Sequence, residues 1–120
     1  MICDTTFLIA LANGDRRAAG FLVAHRNQPF RTTVISVGEL AAGYPSNSQA
    51  RLFLARYAIL RVHPEIAYAA ADVDRELMGV GLRLGENDNW IAGFCRYYGQ
   101  PLVSNDQAFD RVRGLRRLAY

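Results

Sequence analysis

The chain is 120 residues long, 51% hydrophobic and 21% charged, a balance that supports a packed core and excludes a disordered tail, a coiled coil or a two-domain enzyme. Its 14 basic residues, all arginine, outnumber 11 acids for a net charge of +3, which suits a polyanionic partner such as nucleic acid, although arginine-favouring codon usage explains the missing lysine more simply. The longest apolar run, Phe7 to Ala12, falls far below the ~18 residues of a membrane span, Asp4 breaks any secretory leader, and two cysteines, Cys3 and Cys95, point to a reducing cytoplasm.

Met1 to Cys3 forms a short apolar entry strand ended by Asp4. Phe7, Leu8 and Leu11 then recur at helical spacing until Asn13-Gly14 closes the segment, and a second helix is expected over Arg16–Arg26. The β-branched run Arg31–Ile35 reads as a strand, Ser36–Tyr44 as a helix stopped by Pro45, and Gln49–Tyr57 as another helix. Ile59–Val62 is a third strand. Pro64 opens a long helix in which Ile66, Ala69, Ala70, Val73, Leu77 and Leu84 repeat at helical intervals. Asn87–Tyr98 is the last long helix, capped by Gly99. Pro101–Ser104 is a fourth strand, Asp106–Val112 a helical turn and Leu115–Tyr120 an edge strand. This alternation implies a three-layer α/β/α sandwich around a mostly parallel sheet of four to five strands, in a single domain over residues 1–120.

In such sheets ligands bind beyond the carboxyl ends of the strands, where Asp4, Glu39, Asp88 and Asp106 are all expected. Each has an innocent reading. Asp4 caps the following helix, Ser36-Val37-Gly38-Glu39 is a capping box, Asp88 answers its helix dipole and Asp106 starts a turn. Together, however, four carboxylates at one edge repel one another unless a cation neutralises them. Their oxygens suit Mg²⁺ or Mn²⁺ better than zinc. His25 and His63 fall outside the cluster, the two cysteines read as core, and Trp90, Phe94 and Tyr98 read as packing. Water activated by a metal is then the chemistry left open, and phosphodiester hydrolysis fits it.

Three segments resemble the PIN-domain nucleases, and especially their VapC-type toxins: Asp4-Thr5-Thr6-Phe7-Leu8-Ile9, then Ile35 to Gly43 around Glu39, then Asn87-Asp88-Asn89-Trp90-Ile91-Ala92-Gly93 with Gly99 to Asp106 and Phe109. The resemblance spans essentially the whole chain, and four motifs in order are specific where any one is weak. It implies a PIN-like fold and an endoribonuclease dependent on Mg²⁺ or Mn²⁺, with Asp4, Glu39 and Asp88 as the main metal-site carboxylates and Asp106 as the fourth. Thr5 and Ser104 match positions that support the site or contact the scissile phosphate. It further implies tRNA or ribosomal RNA as substrate, a homodimer, and a cognate VapB-type antitoxin that blocks the acidic groove. Two features depart from the pattern: only three residues precede Asp4, and Ala108 stands before Phe109 where an acid is frequent.

Other classes fit less well. A phosphoacceptor receiver needs a lysine and a paired acid before Asp4; a haloacid-dehalogenase phosphatase needs an aspartate where Thr6 stands. A catalytically weak PIN-fold binding or assembly module stays open. Arg16, Arg17, Arg31, Arg111 and Arg113 are the candidate contacts to RNA phosphates. Phe53, Tyr57 and the Ala-rich side of the 65–84 helix are the candidate dimer surface.

Overall fold

The sheet grows from strands of only two or three residues. In the computed structural model, which describes residues 1–120, β1 (Ile2–Cys3), β2 (Arg31–Thr33), β3 (Ala58–Leu60), β4 (Leu102–Val103) and β5 (Arg117–Leu118) lie in the order β3-β2-β1-β4-β5. Every pairing is parallel, as connections through helices require. The helices are α1 (Thr5–Ala12), α2 (Arg16–Ala24), α3 (Val34–Ala42), α4 (Asn47–Leu54), α5 (Pro64–Gly79) and α6 (Glu86–Tyr98), followed by a 3₁₀ turn over Gln107–Arg111.

Side-chain alternation along these short strands sorts two cores. Ile2 and Leu102 face α5 and α6, packing with Ile66, Val73, Ile91 and Phe94. Cys3 and Val103 face α1 to α4, packing with Phe7, Leu8, Leu40 and Leu54. The helices thus cover both faces of the sheet, and the expected three-layer sandwich is observed. Both cysteines are free, buried, and on opposite sides of the sheet. No helix is long and apolar enough to cross a membrane.

Where α5 meets α6, a methyl group on Gly93 would lie 2.9 Å from both the Cβ and the backbone nitrogen of Ala70. Only glycine allows this approach. One turn earlier Asn89 Nδ2 donates to the Ala70 carbonyl at 2.9 Å, so both contacts fix how α6 sits on α5.

Local chemistry moved several boundaries. The strand expected over Arg31–Ile35 stops at Thr33, because Thr33 Oγ1 accepts from Ser36 N at 3.2 Å and caps α3. That bond outweighs the β-propensity of Val34 and Ile35. Helix α4 ends at Leu54, and β3 begins one residue earlier than expected and ends at Leu60. Helix α5 ends at Gly79, leaving Leu84 in the following loop, still packed on the core. Tyr57, expected on a dimer face, is instead buried and stacks on Phe53 with ring centres 6.0 Å apart.

Candidate active site

Strand β1 ends at Cys3, so Asp4 is the first residue past the sheet at its carboxyl edge. It is only 3% exposed, and a carboxylate can be buried this far only if its lone pairs are occupied. Oδ1 accepts from the Thr5 backbone N–H at 2.8 Å, capping α1. Oδ2 accepts from Ser104 Oγ at 2.7 Å and from Thr6 Oγ1 at 3.1 Å. Ser104 stands in the equivalent place, just past β4, and its Oγ also accepts from the Asp106 backbone N–H at 3.1 Å. Two neighbouring strands therefore deliver Asp4, Ser104 and Asp106 to one point. Burial holds the Asp4 carboxyl above its ordinary value; the hydrogen bonds from Ser104, Thr6 and Thr5 oppose this, and the charge of Glu39 adds to it.

The capping box expected at Ser36 does not form. The cap of α3 is Thr33, so Ser36 lies within the helix and Glu39 one turn beyond it. Glu39 Oε1 instead accepts from Thr5 Oγ1 at 2.7 Å. Thr5 Oγ1 also lies 3.0 Å from Ser36 Oγ, and Ser36 Oγ lies 3.4 Å from Thr33 Oγ1. A hydroxyl donates only once. With the Thr5 proton committed to the carboxylate, Ser36 donates to Thr5 and Thr33 to Ser36. Thr33, Ser36 and Thr5 are buried, so a row of oriented hydroxyls ends on Glu39. Thr6, Thr33 and Ser36 were missed as site residues; the visible signal was hydroxyl side chains flanking Asp4 and preceding Glu39.

Asp88 enters from the first turn of α6 and is partly exposed. Its carboxyl is pushed up from 3.8 to about 6, first by burial and then by the charges of Asp4, Asp106 and Glu39. Those three charges acting on one carboxyl bring the expected quartet to one edge. Asp106 is more exposed and caps the 3₁₀ turn, its Oδ1 accepting from Ala108 N at 2.9 Å. The capping readings of Asp4 and Asp106 therefore hold alongside their membership of the cluster.

No member of the quartet forms an ion pair within the chain; the charge of Asp106 reaches Arg117, but that guanidinium is paired with Asp110. The ion pairs of the protein fall on Asp72, Asp74, Glu76 and Asp110. The histidines stand elsewhere: His25 stacks on Phe21, and His63 packs against Tyr97. The donor set is thus hard oxygen throughout, which fits Mg²⁺ or Mn²⁺. As they stand in this structure, no three of the acids lie close enough together to hold a metal ion.

The five candidate arginines divide. Tyr120 feels the charges of both Asp4 and Asp15, which puts the first turn of α2, with exposed Arg16 and Arg17, on the acidic side. Arg111 closes the 3₁₀ turn that Asp106 opens. Arg31 is a correction: it begins β2, in register with Ile2 and Ala58, at the opposite edge of the sheet. Arg113 is drawn to the α5–α6 flank, where its carbonyl accepts from Arg96, the partner of Glu76.

The fold and the site define a class: an open parallel α/β domain carrying an acidic cluster at the carboxyl edge of its sheet. The PIN domain family model matches residues 1–115. Ribonuclease VapC2 of Haemophilus influenzae is 39% identical over 90 residues, which cover 68% of each chain. The chain belongs to the PIN-domain family, among its VapC-type members. Its backbone superposes on VapBC2 from Rickettsia felis, solved with a DNA fragment from its promoter, with a TM-score of 0.87 at 22% identity over 99% of this chain and 97% of that one. DNA-bound VapBC from Salmonella typhimurium gives 0.83 at 21% identity, over 98% and 96%. A toxin–antitoxin complex from Klebsiella pneumoniae gives 0.79 at 22% identity, over 95% and 93%.

Proposed function

We propose that residues 1–120 act as one domain, a VapC-type endoribonuclease toxin that hydrolyses phosphodiester bonds of tRNA or ribosomal RNA in the cytoplasm and is neutralised by a cognate VapB-type antitoxin. The observation that carries this reading is the quartet of Asp4, Glu39, Asp88 and Asp106 at the sheet edge, none of them in an ion pair within the chain. The ribonuclease assigned to the Haemophilus influenzae relative supports the reaction class. Structural neighbours solved as VapBC and toxin–antitoxin complexes support the partner.

Asp4, Glu39 and Asp88 would hold Mg²⁺ or Mn²⁺, with Asp106 as the fourth acid. When bound, such an ion lowers the pKa of water and offsets charge on a phosphoryl oxygen. The rest is done by the chain. Ser104 and Thr6 lock the Asp4 carboxylate, and Thr5 turns Glu39 toward it. Asp88 and Asp106, more exposed, face the solvent side where a phosphodiester approaches. Arg16, Arg17 and Arg111 would meet flanking phosphates. A homodimer is part of the reading. The open spacing of the acids favours the second reading, a catalytically weak PIN-fold binding or assembly module.

The test is cleavage of a fluorescent single-stranded RNA with Mn²⁺, beside an EDTA control and an Asp88→Asn variant. Cleavage by the wild type alone, stopped by EDTA, is expected. Equal cleavage by both proteins removes Asp88 from the site, and absence of cleavage with any RNA, tRNA and ribosomal RNA included, leaves the binding module.

A further inference from the structure

The displaced Arg31 leads to a second basic site. At the amino edge of the sheet Arg31 and Arg56 line a cavity of about 440 Å³ together with Gln28, Phe30 and Tyr57. Arg26 and Arg56 line an adjoining cavity of about 310 Å³ that shares Phe30. No acid lines either one. The arginine side chains bonded within the chain are those of Arg75, Arg83, Arg96 and Arg117, so all three guanidiniums here are unpaired.

Helix ends explain part of this. Arg26 and Arg56 follow the last turns of α2 and α4, where positive charge is favoured, yet neither guanidinium donates to a terminal carbonyl. Arg31 has no such reason. It lies in a strand, half-buried and next to like charge, an arrangement that costs free energy until an anion is present. Tyr57 adds a neutral donor at the cavity wall, a side chain only 7% exposed. Burial pushes that phenol up to about 12, so it keeps its proton.

We propose that this amino-edge cavity binds a backbone phosphate of RNA, remote from the acidic pocket. The inference rests on the ribonuclease reading. Two planar guanidinium forks donate only, a phenol and an amide add further donors, and no carboxylate opposes them, which is phosphate chemistry, and Phe30 offers a face for a base. The acidic pocket repels RNA, so affinity has to come from contacts such as this one, away from the reacting bond.

The test is fluorescence anisotropy of a labelled single-stranded RNA in EDTA across a range of KCl concentrations. It compares the wild type with Arg31→Gln/Arg56→Gln and with Arg31→Lys/Arg56→Lys. The Gln pair is expected to bind about tenfold more weakly and to lower the slope of log affinity against log salt by about 0.7, the value for one lost phosphate contact on a single strand. The Lys pair keeps both charges and stays near the wild-type slope. An unchanged slope in the Gln pair, a Lys pair as weak as the Gln pair, or a wild type without measurable affinity overturns the proposal. So does loss of binding to a labelled oligoglutamate with RNA binding intact, which assigns the cavity to an acidic peptide. Cleavage by the wild type with Mn²⁺ is followed in parallel: its failure, with the slope difference present, refutes the ribonuclease reading and leaves the contact standing.

Discussion

Asp88 holds its proton to about pH 6, whereas an ordinary aspartate ionises near 3.8, and replacing it with asparagine should expose what that difference does to the fold. Between those two values the unfolded chain has lost the proton and the folded chain has kept it. Stability without metal therefore falls as pH rises through this window, and the penalty is complete above about pH 6. At 1.36 kcal/mol for each tenfold change, the full difference is about 3 kcal/mol. The carboxyl is partly exposed, so solvent screening reduces this to about 1 kcal/mol. Asparagine carries no such penalty. It does lose the attraction between a negative charge and the start of α6, about 0.3–1 kcal/mol in the other direction, so the decisive quantity is the trend with pH. Melting temperatures in EDTA, by circular dichroism, should show the variant gaining about 3–5 °C over the wild type between pH 4 and pH 7.5. Saturating Mn²⁺ should erase the gain, because a cation bound by the wild type offsets the same repulsion. A difference that does not change with pH, or a variant that loses ground as pH rises, would refute the argument that unneutralised charge surrounds Asp88.

Ser104→Ala removes a donor to Asp4 Oδ2 and an acceptor for the Asp106 N–H. It should cost about 1–3 kcal/mol in urea denaturation and lower cleavage by loosening two acids at once; a stability change below the error of the midpoint would count against it. Thr5→Val keeps the shape and deletes the proton that Glu39 accepts, so cleavage should fall much further than the melting temperature. Equal activity in the two proteins would show that Glu39 does not need that orientation. Gly93→Ala drives a methyl group to 2.9 Å from Ala70 and should destabilise by about 1–3 kcal/mol. Adding Ala70→Gly should not rescue it, because the Ala70 backbone nitrogen is as close as the Cβ; full rescue would place the clash on the side chain alone.

Much of the fold was legible because the chain labels its own ends. Pro64 opens α5, and Gly99 closes α6 with a φ of +61° that a side chain rarely adopts. Parallel strands of two or three residues place whatever follows them at the carboxyl edge, so Asp4, Ser104 and the neighbourhood of Asp106 were readable from strand positions alone. What was not legible was who donates to whom. Ser36 and Glu39 carry the spacing of a capping box, and only the position of Thr33 shows that the helix had started earlier. The hydroxyl row from Thr33 to Glu39 depends on α1 and α3 meeting in space, which no local pattern states. Arg31 was misplaced for a related reason. A residue at the beginning of a strand and one at its end are close in sequence, yet in this sheet they face opposite edges.

The two-residue strands have a consequence for how the site breathes. The amide of Asp4 is bonded to the Val103 carbonyl and that of Ser104 to the Leu118 carbonyl, within the sheet. Their protons can exchange with solvent deuterium only when the sheet itself opens. Asp88 sits in the first turn of α6, where backbone N–H groups have no partner four residues back, and its amide exchanges without any such opening. One side of the acidic cluster is thus tied to the hydrogen bonds of the sheet, while the facing side stands at a helix end. A divalent ion held there, as proposed, would meet the firmly held Asp4 and be accommodated on the Asp88 side.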